Sequence, residues 1–197
     1  VIFVAHSTTQ ATNALIEGDV ANVGVIGVGP KGVGGWIAKA QTNMKDINLG
    51  SGRFIRLKNR CICDENLSDQ LVTDTIKSLV GDGAQVIVAS ESYGVDDMEN
   101  ETGICKIAKD MGLEATAASE ITKLYGLTRR TRTAAINASI LPKMLNTANS
   151  TEQSVKSAGV EVPLMIMRGD GGVMEISDMK KRPVLTMLSG PAASVMG

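Results

Sequence analysis

A single histidine, His6, stands in the whole chain. Hydrolytic metal sites need several imidazole or carboxylate ligands, and neither His-x-His nor His-Glu-x-x-His occurs, so metal-dependent cyclic amidase chemistry is excluded. Gly-x-Ser-x-Gly is absent, which argues against a serine nucleophile elbow, and there is no Gly-x-x-x-x-Gly-Lys-Ser/Thr phosphate loop. No apolar run reaches the roughly 20 residues a membrane helix requires, and no signal peptide is visible, so a cytoplasmic chain with no membrane partner is expected. Charge of one sign is lacking too, with 20 Lys and Arg facing 21 Asp and Glu. That leaves no cationic excess to neutralise phosphates, and no nucleic-acid partner is expected. Arg129, Arg130 and Arg132 form a small patch at most. The cysteines Cys61, Cys63 and Cys105 are odd in number, which fits a reducing compartment better than a disulfide framework. Cys61-x-Cys63 falls short of four zinc ligands and reads as a pair of strand thiols.

What is present is ordinary globular material, 43% hydrophobic and 21% charged over 197 residues, enough for one compact domain or two small ones sharing a core. The chain starts without Met inside an apolar run and stops after a Gly/Pro/Ala loop, as expected of a piece of something larger. Residues 1–5 read as a buried strand and Ala11–Glu17 as a short helix ended by Gly18. Val23–Ile26 is a second strand running into the glycine-rich stretch 27–35. A helix over Trp36–Gln41 and strands over Arg53–Leu57 and near Cys61 follow. Ser68 is suited to cap a helix over Asp69–Val80, whose stripe is Leu71, Val72, Ile76, Leu79 and Val80. Val86–Ala89 is a continuous apolar run, as in a parallel strand covered on both faces. Ile104, Ile107, Ala108 and Met111 repeat at helical spacing, and Ala115–Ala118 forms the next strand. The rhythm predicts a mostly parallel α/β sheet with strands near 1–5, 23–28, 86–90 and 113–118 and flanking helices. Past Gly126, a helix over Thr128–Leu145 is expected to kink at Pro142, a further helix to span Thr151–Ala158, and a strand to span Leu164–Met167. The domain boundary is drawn near residue 126.

Three polar clusters stand at strand ends or helix entries. His6-Ser7-Thr8-Thr9-Gln10-Ala11-Thr12-Asn13 brings hydroxyls, an amide and free helix-start amides to a place suited to an anion or polar substrate, though capping alone also explains such a cluster. Asp170-Gly171-Gly172 offers a carboxylate and glycine amides for phosphate or Mg²⁺, or is a plain turn. Ser189-Gly190-Pro191 is a third backbone cradle or a tight helix entry. Gly27-x-Gly29-x-x-Gly32 has dinucleotide-binding spacing after a strand. Gly34 and Gly35 weaken the helix that motif requires, however, and Asp46 meets the expected ribose carboxylate only loosely.

In their order, these segments resemble the hydantoinase A/oxoprolinase family. The family's His-Gly-Thr-Thr-x-Ala-Thr-Asn-Ala-Leu is matched from His6 to Leu15, and its Arg-Thr-x-Thr-Ala-x-x-Asn-Ala from Arg130 to Ala138 with Pro142 beyond. Its Met-x-x-Asp-Gly-Gly is matched by Met167–Gly172, and its Arg-Pro-x-x-Thr-x-x-Ser-Gly-Pro-Ala-Ala by Arg182–Ala193. Departures are Ser7 for glycine, the glycine-rich loop at 27–35, and a His-Glu pair reduced to Glu101 or a neighbour. The family's two Asp-Gly-Gly-Thr phosphate loops, similar to the clamps of actin-like ATPases, are absent from these residues, so the isolated segment is expected to be inactive.

The resemblance implies a partial actin-like, ribonuclease H-like ATPase architecture. Residues 1–126 would be the remainder of the hydantoinase/oxoprolinase N-terminal α/β domain, and 127–197 the start of the core domain. It implies an ATP-using, Mg²⁺-dependent hydrolase that opens a cyclic amide by phosphorylating its carbonyl. His6, Thr8, Thr9 and Asp170 would be catalytic, with Asp170 also binding metal. Ser7, Thr12, Asn13, Gly171, Gly172, Ser189 and Gly190 would hold substrate or phosphate. The same chassis serves ketone carboxylases and mutase activators. A non-catalytic module for docking a B-type partner subunit, or a homo-oligomer, is a further alternative. If one site is served, the turns after His6 and Met167 should open onto a common cleft.

Overall fold

The computed structural model describes residues 3–196 and divides into two compact units. One runs up to Val20 and resumes at Ile140; the other is Ala21–Ser139. The first unit begins with strand β1 (Val4–His6) and helix α1 (Gln10–Glu17). The second holds β2 (Val23–Gly29), α2 (Val33–Thr42), a hairpin of β3 (Ile47–Gly50) and β4 (Arg53–Ile55), and β5 (Leu57–Cys63). It continues through α3 (Asp69–Gly81), β6 (Val86–Glu91), α4 (Glu99–Asp110), β7 (Glu114–Ala117) and the short α5 (Ala118–Ile121). Helix α6 (Leu127–Ser157) belongs to the second unit through Ser139 and to the first beyond it. The first unit is completed by β8 (Leu164–Met167), β9 (Val173–Glu175), α7 (Ile176–Met179) and α8 (Ser189–Met196).

The α/β expectation holds, with a wholly parallel sheet in the order β5-β2-β6-β7. One detail is corrected: the first strand does not join that sheet. It pairs in parallel with β8, in a three-stranded sheet ordered β1-β8-β9. Residues 1 and 2 of the expected first strand lie outside the described residues. Periodicity reveals a strand but not its partner, and the β1–α1–β2 succession only imitates a crossover unit. The compact units also differ from the boundary drawn near residue 126, because α6 runs through both and the first unit draws on both ends of the chain.

In the second unit β2 is buried along its whole length. Its even-numbered residues meet α3, where a Cβ on Gly24 would lie 3.2 Å from the Leu79 Cβ. On the other face, Gly27 and Gly29 meet α2. There a Cβ on Gly27 would sit 2.2 Å from the Thr42 hydroxyl, and one on Gly29 would sit 2.4 Å from Ala38. Gly34 and Gly35 do not prevent the helix, which begins at Val33. A Cβ on Gly35 would lie 2.2 Å from the Pro30 carbonyl, so this glycine lets α2 start against its own loop, and tertiary packing overrides propensity. The glycine stretch is thus accounted for by close helix–strand packing. Asp46, the loose ribose candidate, instead accepts from the Leu57 amide at 2.8 Å and pairs with Arg56, and both hold its carboxyl below the usual range.

Ser68 caps α3 as expected, accepting from the Leu71 amide at 3.3 Å. Only Val72, Ile76 and Leu79 of the expected stripe are buried, while Leu71 and Val80 flank it in solvent. Pro142 does not divide α6 in two. Proline removes one helical bond, yet Ala135, Ala138, Leu141 and Met144 are buried on both sides of it and keep the helix continuous.

Arg130, Thr131 and Asn137 fix the start of α6 to the sheet. Ser90 and Thr131 are joined at 2.7 Å, and Thr131 gives its own proton to the Leu127 carbonyl. Asn137 donates to Thr116 at 3.4 Å. Nearby, fully buried Glu101 accepts from the amides of Glu91 and Ser119, each at 2.8 Å. Burial raises its carboxyl above the 4.5 of a free glutamate, against the pull of these bonds and of Arg130. A folded-state value above the unfolded one means the native state binds more protons, so stability falls as pH rises through the folded value. Urea midpoints at pH 5 and pH 7 should therefore differ in the wild type and differ less in Glu101→Gln. Glu91→Gln is a necessary control, since Glu91 is also raised by burial. An unchanged slope in Glu101→Gln would contradict the assignment.

Candidate functional site

Every residue to which the family resemblance gives a catalytic, metal-binding or phosphate-binding role lies in the first unit. Its parallel pairing of β1 with β8 sets His6 opposite Ile166. Neighbouring strands lie about 4.8 Å apart, so Ser7-Thr8-Thr9 and the turn beyond Met167 leave the sheet side by side at its carboxyl end.

The first turn leads into α1. Thr8 is buried, and its Oγ1 accepts from the Gln10 amide at 3.2 Å. Exposed Thr9 stands at the N-cap without a side-chain capping bond, and its hydroxyl accepts from the Asn13 side-chain Nδ2 at 3.5 Å. His6 and Ser7 are half-buried. Segment 186–190 is laced onto this turn: the Ser189 hydroxyl donates to the Thr8 carbonyl at 2.9 Å, and Thr12 Oγ1 accepts from the Leu188 amide at 3.1 Å. A Cβ on Gly190 would touch Thr9 at 3.3 Å. Ser189 is fully buried and its proton is committed, so the expected phosphate-binding pair Ser189 and Gly190, with Thr12, serves here as the frame of the turn. Leu188 carries a positive φ of 62°, a conformation costly for a non-glycine residue.

Asp170 tops the hairpin between β8 and β9. One carboxylate oxygen accepts from the Gly172 amide at 3.0 Å and the other is paired with Arg168. Gly171 has a φ of 85°, and the Arg168 amide closes the turn on the Gly172 carbonyl at 2.8 Å. Arg168 was missed as a site residue in the sequence; its Arg-x-Asp spacing was the available signal. The expected role of Asp170 as a Mg²⁺ ligand does not fit this donor set, because both oxygens are engaged and a guanidinium stands beside them. Among the described residues no three His, Cys, Asp or Glu side chains gather as a metal site. What the turns offer is the Thr9 hydroxyl and the Arg168 guanidinium, the latter paired with Asp170, while the amides of Gly169, Gly171 and Gly172 are bonded within the protein.

Residues 130–197 match the model of the hydantoinase/oxoprolinase family. A Methanocaldococcus jannaschii protein described as uncharacterised is 27% identical over 114 residues, covering 57% of this chain and 17% of its own length. The fold is similar to acetone carboxylase, solved nucleotide-free in work on ATP-dependent acetone carboxylation, with a TM-score of 0.69 and 17% identity. That match covers 97% of this chain and 30% of the carboxylase. It is similar also to the ATP-dependent caprolactamase of Pseudomonas jessenii, with a TM-score of 0.69 and 19% identity over 95% of this chain and 30% of that one. No helix among the described residues is long and apolar enough to cross a membrane.

Proposed function

We propose, with the hydantoinase/oxoprolinase match over residues 130–197 as premise, that this chain is a segment of an ATP-dependent enzyme that opens a cyclic amide after phosphorylating its carbonyl oxygen. The observation that carries the reading is the parallel register of β1 and β8, which brings the His6–Thr9 turn and the Arg168–Gly172 turn to one end of neighbouring strands, where α/β folds gather ligands. Phosphorylation turns a poor electrophile into an activated one, so ring opening needs no metal-bound hydroxide. Thr8, Thr9 and Asn13 orient the phosphoryl group or the substrate, with Ser7 beside them. His6 moves a proton at the reacting centre. At the Asp170-Gly171-Gly172 turn, Arg168 exchanges its pairing with Asp170 for phosphate oxygens when the phosphoryl group is bound. No step is assigned to a metal.

In this reading the protein works in the cytoplasm on a small cyclic amide or related carbonyl, with a B-type partner subunit or further copies of itself. A ketone carboxylase is the second reading, favoured by the equal fold likeness to acetone carboxylase. In the natural full-length protein, phosphate release from ATP should rise on adding cyclic amides without bicarbonate. Dependence on ketone and bicarbonate together would select the carboxylase. His6→Ala should lower kcat/KM by about 100-fold with little change in Tm, whereas Ser189→Ala should lower Tm first. Full turnover by His6→Ala would remove the catalytic assignment.

A further inference from the structure

Within the 21–139 unit, where α2 ends and α6 begins, two adjoining cavities of about 330 and 270 Å³ share Gln41 and Thr128. The Thr128 hydroxyl donates to the Gln41 carbonyl at 3.1 Å and forms the wall between them. Arg129 lines the first cavity; Arg132 and Lys45 line the second. Residues three apart on a helix share a face, so Arg129 and Arg132 stand on one side of α6, one lining each cavity. All three cations lack an ion-pair partner among the described residues. Asp46 also lines the second cavity, but it is paired with Arg56 and not with Lys45 or Arg132.

This arrangement runs against helix electrostatics. A helix start is its positive end and favours acidic side chains, yet the first turn of α6 has none and carries arginines instead. We infer that these cavities form an anion-binding site for a small phosphate compound with two anionic groups, one on each side of the Gln41–Thr128 wall. Guanidinium forks match phosphate oxygens in bidentate fashion, and the volumes suit a small molecule. The balanced charge of the chain as a whole argues against a nucleic-acid backbone. The site does not depend on the function proposed above, whose residues lie in the other unit.

Titrating the protein with inorganic pyrophosphate, followed by amide NMR and calorimetry, tests the assignment. Saturable binding should shift the amides of Gly126–Arg132 and Lys45. Arg129→Gln combined with Arg132→Gln should weaken binding by about 10-fold or more, while Lys77→Gln on α3 should leave it unchanged. Without ligand the double variant should keep or raise its Tm, because a like-charge pair has left the positive end of a helix. Non-saturating shifts, equal binding by the double variant, an equal loss in Lys77→Gln, or a clear fall in ligand-free Tm would each overturn the site. Tighter binding of a short oligonucleotide than of pyrophosphate would overturn the small-molecule assignment.

Discussion

Replacing Arg130 with alanine is expected to cost about 3–5 kcal/mol of folding free energy, the range for removing one partner from a buried charge network. Arg130 is fully buried. Its guanidinium donates to the carbonyls of Leu124, Tyr125 and Glu91, and Nε alone lacks a partner. Burial lowers its pKa, and Glu101 and Glu91 oppose that effect, so it remains a cation. Alanine would leave three carbonyls without this donor and Glu101 without its nearby positive charge. Lysine keeps the charge but lacks the fork, and should recover only part of the loss. Urea denaturation with an unchanged m value is the measurement; a loss below about 1 kcal/mol would show that main chain and water replace the guanidinium readily.

The second large effect is expected at Gly169. A Cβ there would lie 2.0 Å from the Met187 carbonyl oxygen, a backbone atom that cannot swing aside. The Gly169 amide also bonds the Leu185 carbonyl at 2.8 Å. Gly169→Ala must push segment 185–187 outward, at a cost of about 3 kcal/mol, the upper end for overpacking. The same shift would disturb the Ser189–Thr8 bond, so under the proposed function the activity of the full-length protein should fall with stability. Gly172→Ala is the contrast, because its Cβ would meet only side-chain atoms, of Asp170 at 3.2 Å and of Arg168 at 3.8 Å, and should cost under about 1 kcal/mol. Equal losses at the two positions, measured as ΔTm, would contradict this account.

These two residues show how far the sequence could be read. Arg130 was visible as part of a family-like block but not as a clamp, because the carbonyls it serves belong to segments whose placement is a tertiary matter. In Asp170-Gly171-Gly172 attention fell on the glycines after the aspartate, whereas the tight contact belongs to the one before it, against a segment far along the chain. The strands and α3, with its Ser68 cap, were legible because periodicity and capping are local. The partner of β1 was not, since an apolar strand carries no label for its neighbour. The turns after His6 and Met167 were legible as polar strand ends. The commitment of Ser189 and Thr12 to hydrogen bonds between segment 186–190 and the residues after His6 was not, because hydroxyls read alike whether they face a ligand or a backbone group.

The pairing of β1 with β8 also has a kinetic side. Val4 must find Leu164, a contact that cannot form until most of the chain has been synthesised. The intervening unit shortens the search, because the Ala21 amide bonds the Ser139 carbonyl at 2.8 Å and so holds its own two ends together once folded. An unstructured loop of that length would oppose closure by about 4 kcal/mol of chain entropy. With the insertion folded first, most of that entropy has already been lost before β1 and β8 meet. If the 21–139 unit folds first, damage to its core is expected to delay assembly of the unit that carries the proposed catalytic turns, measurable as a slower refolding phase.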